Sequence, residues 1–276
     1  MIRIAIIGTG QIGYDLLHKT MNLDFVKIIA FVGRRKSTKN IPDNINYSEE
    51  SIDYFINNPK CCDVVFDCTD AFSAKKNNVI FLEQGITVID LTPSNIGEFY
   101  VPNIINTISN NINMITCGGQ VSIPILKYFK DKLKTIQYAE VVTQIRSDSA
   151  GMATRINIDK YIETTELAIN KIANIENCKV ILNINPYTTI MQTTIFIKTT
   201  DDFNDFNDFD KYVTKIQEYI INYKVSKPEK ISSELLMINI NILGSSNIIS
   251  KTAGNLDIIN CVAINALNTI YENNLK

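Results

Sequence analysis

The stretch Ile2-Arg3-Ile4-Ala5-Ile6-Ile7-Gly8-Thr9-Gly10-Gln11-Ile12-Gly13 decides how this chain is read. Ile2 to Ile7 is a nearly continuous apolar run, the pattern of a strand buried on both faces. Glycines at 8, 10 and 13 follow, and then a helical stretch, so the segment reads as strand, tight turn and helix. Gly8 permits the turn, Gly10 lets the backbone approach a pyrophosphate, and Gly13 lets the helix pack close to the strand. The helix start offers unpaired N–H groups to the phosphates. Gly8, Thr9, Gly10, Gln11, Ile12 and Gly13 therefore read as a dinucleotide cradle, against the plainer alternative of a packing turn.

Working outward, Val26 to Val32 is a second apolar run that ends at Gly33, where the second strand of such a βαβ unit should end. An acid normally stands there to bind the ribose hydroxyls, but this chain has Gly33-Arg34-Arg35-Lys36-Ser37. Arg34 and Arg35 with their neighbours would suit a 2′-phosphate and hence NADP over NAD; the alternative is a solvated basic loop. Short apolar segments at Asp63 to Phe66, Ile86 to Leu91 and Asn113 to Thr116, spaced by helix-length polar stretches, predict an α/β fold. The expected architecture is a Rossmann-type doubly wound parallel sheet. Beyond Cys117, longer strands are expected at Ile136 to Ile145, Lys179 to Ile184, Thr194 to Lys198 and Leu236 to Ile242, with helices near Asp159 to Ala173 and Asp208 to Tyr223. That is an α+β pattern for a second domain. The apolar helix Leu256 to Tyr271 could pack on either domain.

The 276 residues suffice for two domains with cores, and 45% hydrophobic residues with a net charge of -2 give no bias toward nucleic acid or anionic membrane. No apolar run is long enough to span a membrane, and Met1 leads directly into a strand, so a cytoplasmic location is expected. The six cysteines lack CxxC pairs and neighbouring histidines, which predicts reduced thiols and no metal site. His18, the one histidine, falls in the first helix and reads as a packing residue. The Phe-Asn-Asp repeat in Asp201 to Asp210 lacks the glycine and terminal glutamate of a calcium loop and reads as a solvated turn.

Thr116-Cys117-Gly118-Gly119-Gln120 places a cysteine at a strand end, before two glycines and a helix expected to start near Pro124. A helix N-terminus lowers a thiol pKa, and a thiolate there is both nucleophile and leaving group for acyl transfer. Without further context a buried structural cysteine is the plainer reading.

Cys117 to Gln120, the run Ser149-Ala150-Gly151-Met152-Ala153-Thr154-Arg155-Ile156-Asn157-Ile158-Asp159, and Ala253-Gly254-Asn255-Leu256-Asp257-Ile258 together resemble the acetylating acetaldehyde dehydrogenases of aromatic catabolism. Asp90-Leu91-Thr92-Pro93 and Tyr138-Ala139-Glu140 add to the likeness, which covers nearly the whole chain. The resemblance implies that Cys117 carries the acyl group as a thioester. It implies that the dinucleotide is held by Thr9 to Ile12, by Ser149, Ala150, Gly151, Met152, Ala153, Thr154, Arg155, Ile156 and Asn157, and by Asn255. It further implies a dinucleotide-binding domain of residues 1–116 plus 249–276, with the last helix returning to it, and a catalytic, substrate and dimerisation domain of residues 117–248. The reaction so implied oxidises a small aldehyde with NAD or NADP and coenzyme A, or reduces an acyl thioester in reverse, in a homodimer that can partner an aldolase. Backbone N–H groups of Gly118 and Gly119 are candidate oxyanion donors.

The chain also departs from that pattern. An Arg-Asp pair, whose aspartate activates the cysteine, corresponds to Gln192 and Thr193; Glu140 and Asp148 are the acids left as candidates for that task. A histidine corresponds to Asn247, Ala-Gly-Pro-Gly-Thr-Arg reads Ala150 to Arg155, the segment before Leu235 is shorter, and Arg35 replaces an aspartate. Two further readings follow: a reductase of thioesters on an acyl carrier protein, and a silent dinucleotide-binding partner subunit. Retention of Cys117 in its Gly-Gly-Gln setting speaks against the silent subunit.

Overall fold

The computed structural model describes residues 1–202, 206–245 and 248–275, with the side chains of Met152 and Ala153 outside the described set. Asn247 and the centre of the Phe-Asn-Asp repeat therefore lie outside the described residues. The first sheet holds β1 (Ile2–Ile7), β2 (Val26–Val32), β3 (Tyr47–Ser48), β4 (Val64–Asp67), β5 (Thr87–Asp90), β6 (Glu98–Phe99) and β7 (Asn111–Asn113), in the order β3-β2-β1-β4-β5-β7-β6. All its neighbouring pairs are parallel. Helices α1 (Gln11–Thr20), α2 (Asp53–Asn57) and α3 (Ala71–Glu83) make crossovers. Alternate side chains of β1 enter two separate cores: Ile4 and Ile6 meet Leu16 and Leu17, while Ala5 and Ile7 join Phe55 and Phe81. Such double-sided burial is why the strand reads as an unbroken apolar run. Because β1 pairs with β2 on one side and β4 on the other, the direction of winding reverses there and a crevice opens beyond their carboxyl ends.

From the first sheet the chain enters α4 (Cys117–Lys132) and then a second sheet. Its strands are β8 (Tyr138–Arg146), β9 (Cys178–Asn185), β10 (Met191–Lys198), β11 (Tyr223–Val225), β12 (Glu229–Lys230) and β13 (Leu235–Ile242). They run in the order β11-β13-β10-β8-β9, with β12 also paired to β13. The β8·β9 pair is parallel and the others are antiparallel. Burial alternates along β8, β10 and β13, so one face enters the core under α4 and the other stays partly open. The remaining α-helices among the described residues are α5 (Met152–Ile156), α6 (Ile158–Ala168), α7 (Phe209–Gln217) and α8 (Gly254–Asn273). Among the described residues no helix is long and apolar enough to cross a membrane.

Helix α8 packs against both α1 and α4. Lys19 bonds Asp257 of α8 at 2.7 Å and Asp15 of its own helix, while Asn260 Nδ2 donates to the Ile12 carbonyl and to Asp15. The ion pairs are buried, and removing one partner from such a site costs about 3–5 kcal/mol.

Several sequence expectations shift. The strand expected at Asn113 to Thr116 is β7, at Asn111–Asn113, because the chain leaves the sheet where Asn113 turns its side chain to Asp90 and Thr92 and Ile115 takes a left-handed φ of 61°. Helix α4 starts at Cys117, not near Pro124, since the Thr116 hydroxyl already accepts the Gly119 N–H as its cap and Pro124 falls inside the helix. The helix expected from Asp208 to Tyr223 stops at Gln217, because Tyr223 is drawn into the edge strand β11 and its hydroxyl bonds the Val121 carbonyl at 2.6 Å. The helix expected over Asp159 to Ala173 is α6 followed by a π-helical turn at Ile169–Ala173.

Candidate active site

A cleft of about 920 Å³ lies over the carboxyl ends of β1 and β2. Its floor is the turn Gly8 to Ile12; its cationic wall is the loop Arg34 to Lys39, and Gly151, Thr154, Ile156 and Asn157 close it from the other side. Gly8 has φ +105° and a Cβ there would lie 2.5 Å from the Cys68 carbonyl, so only glycine fits. A Cβ on Gly10 would meet nothing within 4 Å, leaving room where the cradle needs it. Helix α1 has no side-chain cap at Gly10, so its first-turn N–H groups remain for an anion. These features fit a dinucleotide.

Of the residues expected to hold it, Gly8, Thr9, Gly10, Gln11, Ile12, Arg34, Arg35, Gly151, Thr154, Ile156 and Asn157 line this cleft. Gly13 stands behind it, since a Cβ there would meet the Gly8 carbonyl oxygen at 1.9 Å. Ser149 and Ala150 are buried behind the wall, and Arg155 ties the loop together by donating to the carbonyls of Ser147 and Ala150. Asn255 Nδ2 donates to the Ser149 carbonyl, while its buried Oδ1 has no partner among the described residues. That orphan acceptor lines a recess of about 80 Å³ continuous with the cleft, and Cys117 lies in the same recess. An amide donor such as a carboxamide would satisfy it.

Cys117 is held by strain and close packing. Ile115 is β-branched with φ 61°, a conformation costing on the order of 1–3 kcal/mol, and it is fixed by its N–H donating to Asn113 Oδ1 at 2.8 Å. Thr116 then caps α4, its hydroxyl also meeting that of Thr165 at 2.7 Å. Cys117 Sγ lies 3.7 Å from the hydroxyl of Tyr161, and that hydroxyl accepts the Gly118 N–H at 3.0 Å. Behind Tyr161, Thr143 and Thr193 pair their hydroxyls at 3.1 Å, and both side chains are buried. Burial pushes the Cys117 thiol up to about 11, outweighing the opposing influence of Tyr161 and the Gly118 and Cys117 N–H groups. The helix start alone therefore does not make a thiolate here, contrary to the sequence expectation.

Two more expectations are corrected. The Gly118 and Gly119 N–H groups are already given to Tyr161 and Thr116, so neither is a spare oxyanion donor. Neither acid faces the thiol. Glu140 lies on the opposite face of β8 from Thr143 and accepts from Tyr138, and Asp148 is an exposed partner of Arg146. His18 packs edge-on against Tyr14 with ring centroids 4.7 Å apart, as a packing residue would.

Three groups had no site role in the sequence reading. Thr69 and Asp70, at the end of β4, line both cleft and recess. Asp67 and Asp90 are register neighbours on β4 and β5, fully buried with no cation bonded to them among the described residues. Burial and the neighbouring carboxylate push Asp90 up to about 7, so the pair keeps a proton. Tyr161 is the third; its spacing from Asn157 and Thr165, four residues each way along α6, is the signal that would have found it.

Comparison with known proteins bears on the same two halves. Residues 117–250 match the family described as "Prokaryotic acetaldehyde dehydrogenase, dimerisation", and residues 3–98 match "Semialdehyde dehydrogenase, NAD binding domain". An acetaldehyde dehydrogenase of Spirochaeta aurantia is 38% identical over 95% of this chain and 92% of that protein. One of Burkholderia thailandensis is 37% identical over 95% and 92%, and acetaldehyde dehydrogenase 2 of Salinispora arenicola is 32% identical over 96% and 94%. The crystal structure of aspartate semialdehyde dehydrogenase II complexed with ASA from Vibrio cholerae matches with a TM-score of 0.70 over 99% of both chains, at 15% identity, a likeness of fold alone. The chain belongs to the acetaldehyde dehydrogenase family, with a nicotinamide-dinucleotide-binding part formed by its amino-terminal sheet.

Proposed function

We propose that this protein is an acylating aldehyde dehydrogenase that passes a short acyl group through a thioester on Cys117 to coenzyme A. The observation that carries the reading is the placement of Cys117 in a recess continuous with the dinucleotide cleft. The oxidised nicotinamide, when bound, supplies the hydride acceptor. Cys117 releases its thiol proton to water, and Sγ attacks the aldehyde carbonyl and forms a C–S bond as the C=O π pair moves to oxygen; hydride loss from this thiohemiacetal anion leaves a thioester, and the coenzyme A thiolate displaces the Cys117 thiolate. Asn255 Oδ1 orients the carboxamide, and the apolar recess of Ile145, Leu91 and Ile259 takes the small acyl chain and excludes water. Arg34, Arg35, Lys36 and Lys39 line the cleft beyond β2, and no acid stands at the end of that strand, which supports NADP as an accepted cofactor.

The proposed division into residues 1–116 plus 249–276 and residues 117–248 is supported by the two separate sheets and by the hydrogen bonds of α8 to α1. The partly open face of the second sheet, with Val142, Phe196 and Met237, supports pairing with a second copy of this chain. The observation favouring a silent dinucleotide-binding subunit is the missing carboxylate and the protonated thiol. One assay separates the two. With NAD or NADP, coenzyme A and short aldehydes, the protein turns over and Cys117→Ala lowers kcat by about 10³-fold or more. Equal turnover in the variant, or none in either protein with bound cofactor, contradicts the reading.

A further inference from the structure

Thr193 stands where a carboxylate was expected, and the buried region behind Cys117 contains hydroxyls in its place. Tyr161, Thr143 and Thr193 are at most 5% exposed. A Cβ built on Gly118 would lie 2.1 Å from the Tyr161 hydroxyl and 3.0 Å from that of Thr143, so these two oxygens converge on one point beside the nucleophile. One assignment of the protons satisfies every group. The Tyr161 oxygen accepts the Gly118 N–H at 3.0 Å, and the Thr143 hydroxyl, which converges on the same point, is placed to donate to it. Both its lone pairs are then used, and its one proton is left for Cys117 Sγ, 3.7 Å away. Thr143, having given its proton to Tyr161, accepts from Thr193 at 3.1 Å.

We propose that Thr193, Thr143 and Tyr161 form a one-way chain of hydroxyl donors ending on Cys117 Sγ, and that Tyr161 is a catalytic residue that stabilises the thiolate in place of a carboxylate base. The inference rests on Cys117 being the nucleophile. Tyr161 keeps its proton throughout. When Cys117 ionises, the S–H bond breaks, its electron pair stays on sulfur, and its proton passes to water in the cleft; the Tyr161 O–H then donates to the resulting anion. Thr143 and Thr193 are positioning residues, fixing which way the phenol proton points. A buried charge without a counter-charge is costly, whereas a neutral donor chain can serve an anion that exists only during turnover. Gly118 is required because any side chain would displace the phenol.

The test is the pH profile of Cys117 alkylation by iodoacetamide, read by mass spectrometry on the full protein, beside kcat, KM and dinucleotide affinity. Tyr161→Phe moves the apparent thiol pKa up by about one unit and slows alkylation about tenfold below it, with equal rates well above it. Its kcat falls in proportion, while dinucleotide affinity stays within about twofold. Thr193→Val, close in shape, shifts the profile in the same direction by a smaller amount, and it carries the test should Tyr161→Phe fail to fold. Unchanged profiles in the variants that fold overturn the proposal. Turnover surviving Cys117→Ala overturns the thioester reading instead, and an inactive Cys117→Ala with an unaltered Tyr161→Phe profile overturns this proposal alone.

Discussion

The two ends of the crevice solve the problem of handling charge in opposite ways. At the basic-loop end, Arg34, Arg35 and Lys36 are exposed along an open cleft, where cations cost little because water reaches them. At the Cys117 end, the thiol stands before Tyr161, Thr143 and Thr193, all neutral and enclosed. A permanent carboxylate there would need a counter-charge, and none of the interactions at Cys117 involves one. The comparison teaches that a wet site recruits charge directly, while a dry one stores only the capacity to receive it.

The largest effect that would break this contrast comes from Gly118→Ala. Its methyl would intrude on the Tyr161 hydroxyl at 2.1 Å, and a displacement of that size beside the reacting atom lowers kcat about 10²-fold. Dinucleotide affinity, set at the other end, stays within about twofold. A variant that loses both together would show that the two ends are not separate.

A smaller effect sharpens the cationic end. Arg34→Ala raises KM for NADP about tenfold, the loss of one charged hydrogen bond, and leaves KM for NAD nearly unchanged. Steady-state kinetics with both cofactors checks it; equal effects on the two would reduce Arg34 to a solvated loop residue.

The smallest effect concerns the floor between the ends. Asp90 holds its proton to about pH 7 in the folded state, whereas an unfolded aspartate releases it near about 4. Between those values the folded chain binds more protons, so stability is fully present at acid pH and is lost as pH rises through 7. Urea unfolding midpoints should fall between pH 5 and pH 8, and Asp90→Asn should flatten that slope. A slope unaltered by the substitution would contradict the shared proton.

The same contrast governs what was legible in the sequence. Gly8, Gly10, Gly13 and the basic loop are contiguous, so the cofactor end follows from local motifs, and the parallel sheet follows from apolar runs covered on both faces. Cys117 was legible as a candidate because its Gly-Gly-Gln setting is also local. Its environment was not, since the hydroxyl chain joins Cys117 to a residue 44 positions away and Thr143 to one 50 positions away. Only tertiary packing brings these together. The thiol expectation failed for a physical reason: burial opposes the helix start and is the larger influence. Glu140 and Asp148 were named by composition, while strand alternation and solvent exposure put them out of reach.

The most direct test of the account is to trap the acyl intermediate. The protein is mixed with a short acyl thioester without reduced cofactor, quenched in acid, and its peptides are read by mass spectrometry. The account predicts one acyl group on the peptide carrying Cys117, discharged by added coenzyme A and lost in Cys117→Ala. An adduct on another cysteine, or none while aldehyde oxidation proceeds, would contradict it.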